Sequence, residues 1–172
     1  MDIYESKFRN FIPSSFFIKH YYYKFMGKKL NLHNPKTFQE KLNWLKLNYY
    51  VPIMSQVVDK YAVRSYVKDR IGKKYLIPLI GVYDKFDDID FNKLPNQFVM
   101  KCNHDSGSYI ICEDKNKLDI NAAKEKINYH MSKNYYYQWR EKPYKIVNHK
   151  IIIEKYMCDK ATNSFDDYKF MC

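Results

Sequence analysis

The sequence predicts an α+β fold, with an N-terminal helical region followed by an antiparallel sheet that has a helix packed on it. Three observations carry this. Apolar residues recur at helical spacing along much of the chain before Gly72. From Tyr75 onward, short apolar runs bounded by turn residues take over. Two of these runs, Phe98–Met100 and Tyr109–Cys112, flank a six-residue polar loop with one glycine, which reads as a hairpin and so as antiparallel pairing.

Taken in order, residues 1–34 read as a helical N-terminal extension ending near Asn34-Pro35. Residues 35–95 read as a helical and linking part, and residues 96–172 as the sheet-bearing part. Thr37 and Glu40 have the spacing of a capping box, in which each side chain satisfies the other's backbone N–H. Phe38, Leu42 and Leu45 then recur on one helical face. Pro52 breaks the chain. A second helix is expected from about Ser55 to Ile71, with Val58, Ala62, Val63, Tyr66 and Val67 facing inward and Gly72 as a left-handed C-terminal cap. Leu76–Ile80 contains Pro78 and reads as a short edge strand or extended segment, because proline cannot donate to a central ladder. Asp84 to Pro95 reads as an acidic loop. Asn121 is the expected cap of a helix through about Ser132, with Ala123, Ile127 and Met131 in register. Lys150–Met157, built on three isoleucines, is the strongest strand signal, and Asp167–Cys172 begins a further strand.

Bulk properties narrow the classes. A chain of 172 residues with 46% hydrophobic content can bury a core, which excludes general disorder. Its net charge of +11 favours anionic partners, yet the lysines are spread along the chain, so a nucleic-acid arm is not expected. Cys102, Cys112, Cys158 and Cys172 lack zinc-ribbon or Cys-x-x-Cys spacing. With no apolar leader at the start, reduced thiols and a cytoplasmic location are expected. The aromatic, basic segment Ile12–Met26 either packs on the domain or lies on the inner face of a membrane.

The candidate chemistry sits in three places. Lys101 follows a buried strand and precedes Asp105-Ser106-Gly107-Ser108, whose small residues let backbone N–H groups approach an anion. Lys60 stands beside Asp59 near a helix start. At the end of the best strand, the Glu154 carboxylate and adjacent main-chain groups could read the edge of an adenine. Tyr135–Tyr137 with Trp139 and Arg140 either stack on sugars or bases, or pack between the Asn121 helix and the Ile151 strand. The five histidines show no metal spacing, and only His104 falls in the loop.

These blocks occur in a known order. NPKTFQEKLNWLKL, DKYAVRSYVKDRIGKKYLIPLIGVYD, LPNQFVMKCNHDSGSYIIC and IIIEKYM together resemble the TupA-like branch of the ATP-grasp superfamily, associated with teichuronopeptide and capsular polysaccharide synthesis. The resemblance covers roughly residues 34–172. It implies that Lys60 and Lys101 hold nucleotide phosphates and that Ser106, Gly107 and Ser108 form the flexible loop closing over them. It further implies that Glu154, Lys155 and Met157 form the adenine hinge and that Asp167 meets the ribose. ATP and magnesium are the implied cofactors. The implied chemistry converts a carboxylate to an acyl phosphate, which a nucleophile then displaces. The superfamily's magnesium ligands lie in a second subdomain after these strands, so the expectation is a nucleotide-binding half with little or no turnover alone. The implied partners are a nucleotide and an acidic polysaccharide or sugar-linked carboxylate. Two other readings stay open: a glycosyltransferase-pathway protein, or a non-catalytic basic module that binds acidic polysaccharide.

Overall fold

The structure is a computed structural model that describes residues 7–158. The strand expected at Asp167–Cys172, and Asp167 itself, lie outside the described residues. The chain divides into two compact units, with Met1–Tyr66 and Lys133–Asn148 in the first and Val67–Ser132 and His149–Cys172 in the second.

In the first unit, α1 (Ser14–Met26) ends at Gly27, whose φ of 65° and ψ of 9° give the left-handed cap that glycine adopts at little cost. Phe17, Ile18, Tyr22 and Leu30 are buried together. α2 (Phe38–Asn48) opens with the expected capping box. Thr37 Oγ1 accepts from Glu40 N at 3.3 Å, and the Glu40 carboxylate accepts from Thr37 N at 2.9 Å. Backbone hydrogen bonds from Thr37 and Lys36 hold the Glu40 carboxyl below its ordinary pKa. The row Phe38, Leu42, Leu45 nevertheless stays exposed. Leu47 is the α2 residue that packs against the α1 cluster.

The single helix expected from Ser55 to Ile71 is two helices, α3 (Ile53–Val58) and α4 (Val63–Ile71). Asp59 breaks it. Its backbone is extended, and its carboxylate accepts from Tyr61 N at 2.8 Å and Ala62 N at 3.1 Å, offering those amides an alternative to the helix ladder. Gly72 follows α4 with φ 99° and ψ 155°. That is a glycine-only extended conformation and not the left-handed cap expected.

The aromatic cluster also departs from expectation. α6 (Tyr136–Trp139) belongs to the first unit and packs on α1, where Tyr21 meets Trp139 edge-on at 5.5 Å. Its centre is Arg140, buried and left-handed at φ 58°, with its guanidinium 4.6 Å from the Phe17 ring and donating to the carbonyls of Arg9 and Ile12. Burial pulls the Arg140 pKa below its ordinary value.

The second unit holds β1 (Leu79–Tyr83), β2 (Phe98–Cys102), β3 (Ile110–Cys112), α5 (Ile120–Met131) and β4 (Ile151–Lys155). The sheet order is β1-β4-β2-β3, and every pairing is antiparallel. The edge strand starts at Leu79, just after Pro78 and three residues later than the expected Leu76–Ile80 segment, so the proline stays out of the ladder. The three isoleucines make β4 a central strand, fully buried on both faces. One face of β2 and β4 carries Phe98, Met100, Ile151 and Ile153, which pack with Ala123 and Ile127 of α5. The cap of α5 is Asp119, whose carboxylate accepts from Ala122 N at 2.9 Å, and not Asn121.

Among the described residues, Cys102, Cys112 and Cys158 are in no disulfide. Cys102 and Cys112 are buried, and desolvation pushes the Cys112 thiol above its ordinary pKa. Native protein treated with iodoacetamide at neutral pH should retain both unmodified, and mass spectrometry after denaturation should show them alkylated. Native labelling of either at the rate of an open thiol would contradict this core.

Candidate functional site

The sheet face opposite α5 carries Val99 and Lys101 from β2 and Ile152 and Glu154 from β4, because side chains alternate along each strand. On that face Lys101 Nζ lies 2.6 Å from Glu154 Oε2, with the two side chains 24% and 7% exposed. Two of the expected residues are thereby brought together. The contact is a charge-assisted pair in which the carboxylate is nearly buried and the ammonium a quarter exposed.

The hairpin loop after β2 is pinned from within. Ser108 Oγ accepts from Cys102 N at 2.9 Å and donates to Asp105 Oδ1 at 2.6 Å. The other Asp105 oxygen meets His130 Nδ1 at the end of α5. Asn103 Oδ1 accepts from Lys150 N at 2.7 Å, and Asn103 N donates to Lys150 O at 3.0 Å. His104 stacks on His149 with ring centroids 3.6 Å apart and planes 5° from parallel. The ring of His104 also places Nε2 3.2 Å from His130 O, while His149 Nδ1 is 2.8 Å from Met131 O.

The consequence is a divided loop. Asp105 and Ser108 are turned inward, and the Ser108 hydroxyl is engaged within the chain. Ser106 and Gly107 alone form the exposed tip. Gly107 has φ 99°, a backbone state that L side chains rarely adopt. Among the described residues, the N–H groups of Ser106 and Gly107 meet no hydrogen-bond acceptor. These amides are suited to an anion.

The hinge segment leaves the sheet at the opposite end of β4. Lys155 and Met157 are exposed, and Lys155 with Tyr156 borders a cavity of about 500 Å³ that also touches Pro78, Ile80 and Asn96. Tyr156 donates to Glu113 Oε1 at 3.1 Å, and its hydroxyl is pushed up to about 12, chiefly by desolvation. The cavity includes neither Lys101 nor Glu154. Lys60 lies in the first unit, directly after the Asp59 helix break.

The TupA-like ATPgrasp family model matches residues 40–172. The chain belongs to this family. No curated protein and no solved structure matches it. The family match includes the hairpin, β4 and Lys60, and ATP-grasp proteins as a class bind ATP with magnesium. Among the described residues no group of three or more His, Cys, Asp or Glu side chains is placed to hold a metal ion. No helix among them is long and apolar enough to cross a membrane.

The histidine network has no linear signal. His104, His130 and His149 are far apart in sequence and meet only because the hairpin, the end of α5 and the start of β4 converge. Asp88-Ile89-Asp90 does have Asp-x-Asp spacing, but Asp90 Oδ1 accepts from Asn92 N to cap a turn, and Ile89 is buried.

Proposed function

We propose that the second unit binds ATP on the Lys101–Glu154 face of its sheet, as the nucleotide-binding part of an ATP-grasp ligase-type protein. The observation that carries this is the pairing of Lys101 with a nearly buried Glu154 between a pinned, glycine-tipped loop and an open hinge. In this reading Lys101 and the Ser106 and Gly107 amides hold phosphate oxygens. Charge-assisted hydrogen bonds of this kind are strong and geometrically specific. Glu154, with the main chain of Lys155 and Met157, would receive the adenine edge. The loop and the hinge lie at opposite ends of the five-residue strand β4, with the Lys101–Glu154 pair on the face between them. Lys60 would be the second phosphate lysine, and Asp167 the ribose partner. The family's magnesium is assigned to no described residue.

The donor set supports the fit, since Lys101 is a cation, Ser106 and Gly107 form the exposed loop tip, and the loop's carboxylate, Asp105, is turned inward. We further assign the protein to assembly of a cell-surface polysaccharide, with a carboxylate of that polymer or of a sugar precursor as the group activated. The resemblance and the charge of +11 support that choice of acidic substrate.

Calorimetric titration with ATP and magnesium tests the site. The chain should give saturable heat, and Lys101→Ala combined with Glu154→Ala should weaken binding at least about tenfold, the loss of roughly one charge-assisted contact. Absent heat from folded protein, or equal affinity in the double variant, rejects the assignment.

A further inference from the structure

We infer that the outer face of α1 docks on an anionic lipid bilayer. Phe16, Lys19, His20 and Tyr23 follow one another at i, i+3, i+4 and i+7 and so share one face, away from the buried Phe17, Ile18 and Tyr22. Phe16 is 64% exposed, Tyr23 57% and Met26 45%. A shallow cleft of about 550 Å³ runs among Phe16, Lys19, His20, Tyr23, Lys29 and Leu30.

Charge selects the occupant. Between Glu5 and Glu40 the sequence has seven lysines and arginines and no aspartate or glutamate. Exposed aromatic rings beside lysines match the boundary of a bilayer, where rings enter the headgroup layer and ammonium groups meet lipid phosphates. An acidic polymer would satisfy only the cations. It would leave Phe16 and Met26, which have no hydrogen-bonding group to offer it, facing water. Lys19 and Lys29 both line the cleft, whose volume of about 550 Å³ can admit a phosphodiester headgroup. This inference does not depend on nucleotide binding.

Vesicle flotation of the full chain tests it. Vesicles of phosphatidylcholine mixed with phosphatidylglycerol should carry the protein up, and pure phosphatidylcholine should not. Each lysine removed at an anionic surface costs about fivefold, so Lys19→Gln with Lys29→Gln should lower partitioning about thirtyfold. Phe16→Ser with Tyr23→Ser should also lower it. The exposed pair Lys93→Gln and Lys117→Gln removes the same charge elsewhere and should leave binding unchanged. No flotation with anionic vesicles overturns the inference, as does an equal loss in the Lys93 and Lys117 pair. Flotation insensitive to Phe16 and Tyr23 but abolished by soluble poly-glutamate would identify an acidic-polymer surface in its place.

Discussion

Phe98→Ala is expected to lower stability by about 3–5 kcal/mol, the usual cost of emptying a core phenylalanine site. Phe98 is wholly buried in β2, paired with Cys112 on one side and Lys155 on the other, and it belongs to the cluster that joins the sheet to α5. Two losses add: the ring's transfer from water and the cavity left behind. Against a total of about 5–15 kcal/mol the change is large, and the urea midpoint should fall by about 1 M or more. Phe38→Ala is the matched control. Phe38 is mostly exposed on α2, so its removal should stay within about 0.5 kcal/mol. A Phe98→Ala loss below about 1 kcal/mol would mean the ring is not enclosed and α5 does not close that face.

The contrast between these two phenylalanines shows where the sequence was readable. Periodicity placed α2, and the Thr37–Glu40 pair placed its start, since both signals are local. Which face would be covered depends on what packs there. That is a tertiary fact, and Leu47 meets the α1 cluster while Phe38 does not. The three isoleucines of β4 were legible as a strand because their run is continuous and β-branched. Its insertion between β1 and β2 was not, because local patterns do not encode strand order. Asp59 fell inside the stretch expected to be one helix. Its side chain competes for backbone amides, and that competition split the helix. The same ambiguity put the α5 cap two residues late.

The candidate site divides in the same way. Glycine and small residues marked the loop, and the end of the strongest strand marked the hinge. The residues pinning the loop, Asp105 with His130 and His104 with His149, come from three elements and carry no spacing signal. Ser108 belongs to that support, since its hydroxyl faces inward. An inward Ser108 leaves the tip to Ser106 and Gly107. That concentrates the anion-binding part of the proposal on two amides and Lys101.

Lys101 and Glu154 should respond asymmetrically to truncation, because the carboxylate is much the more buried partner. Lys101→Ala leaves a desolvated carboxylate without its ammonium and should cost about 3–5 kcal/mol. Glu154→Ala leaves an ammonium that is already a quarter exposed and can extend toward water, so about 1–2 kcal/mol is expected. Lys101→Met combined with Glu154→Leu removes both charges and keeps volume, and it should fall within about 1–2 kcal/mol of the parent in either direction. Urea titration of the three variants under one buffer decides the order. If Lys101→Ala proved as mild as Glu154→Ala, the pair would be solvated in practice. A water-exposed pair gains little from a nucleotide's phosphates, because each contact would only replace hydration. The expected order, with a stable apolar double variant, would instead establish a dry ionic patch on the sheet. It would also supply a folded protein lacking both charges, so that a lost calorimetric response could be assigned to the site and not to unfolding.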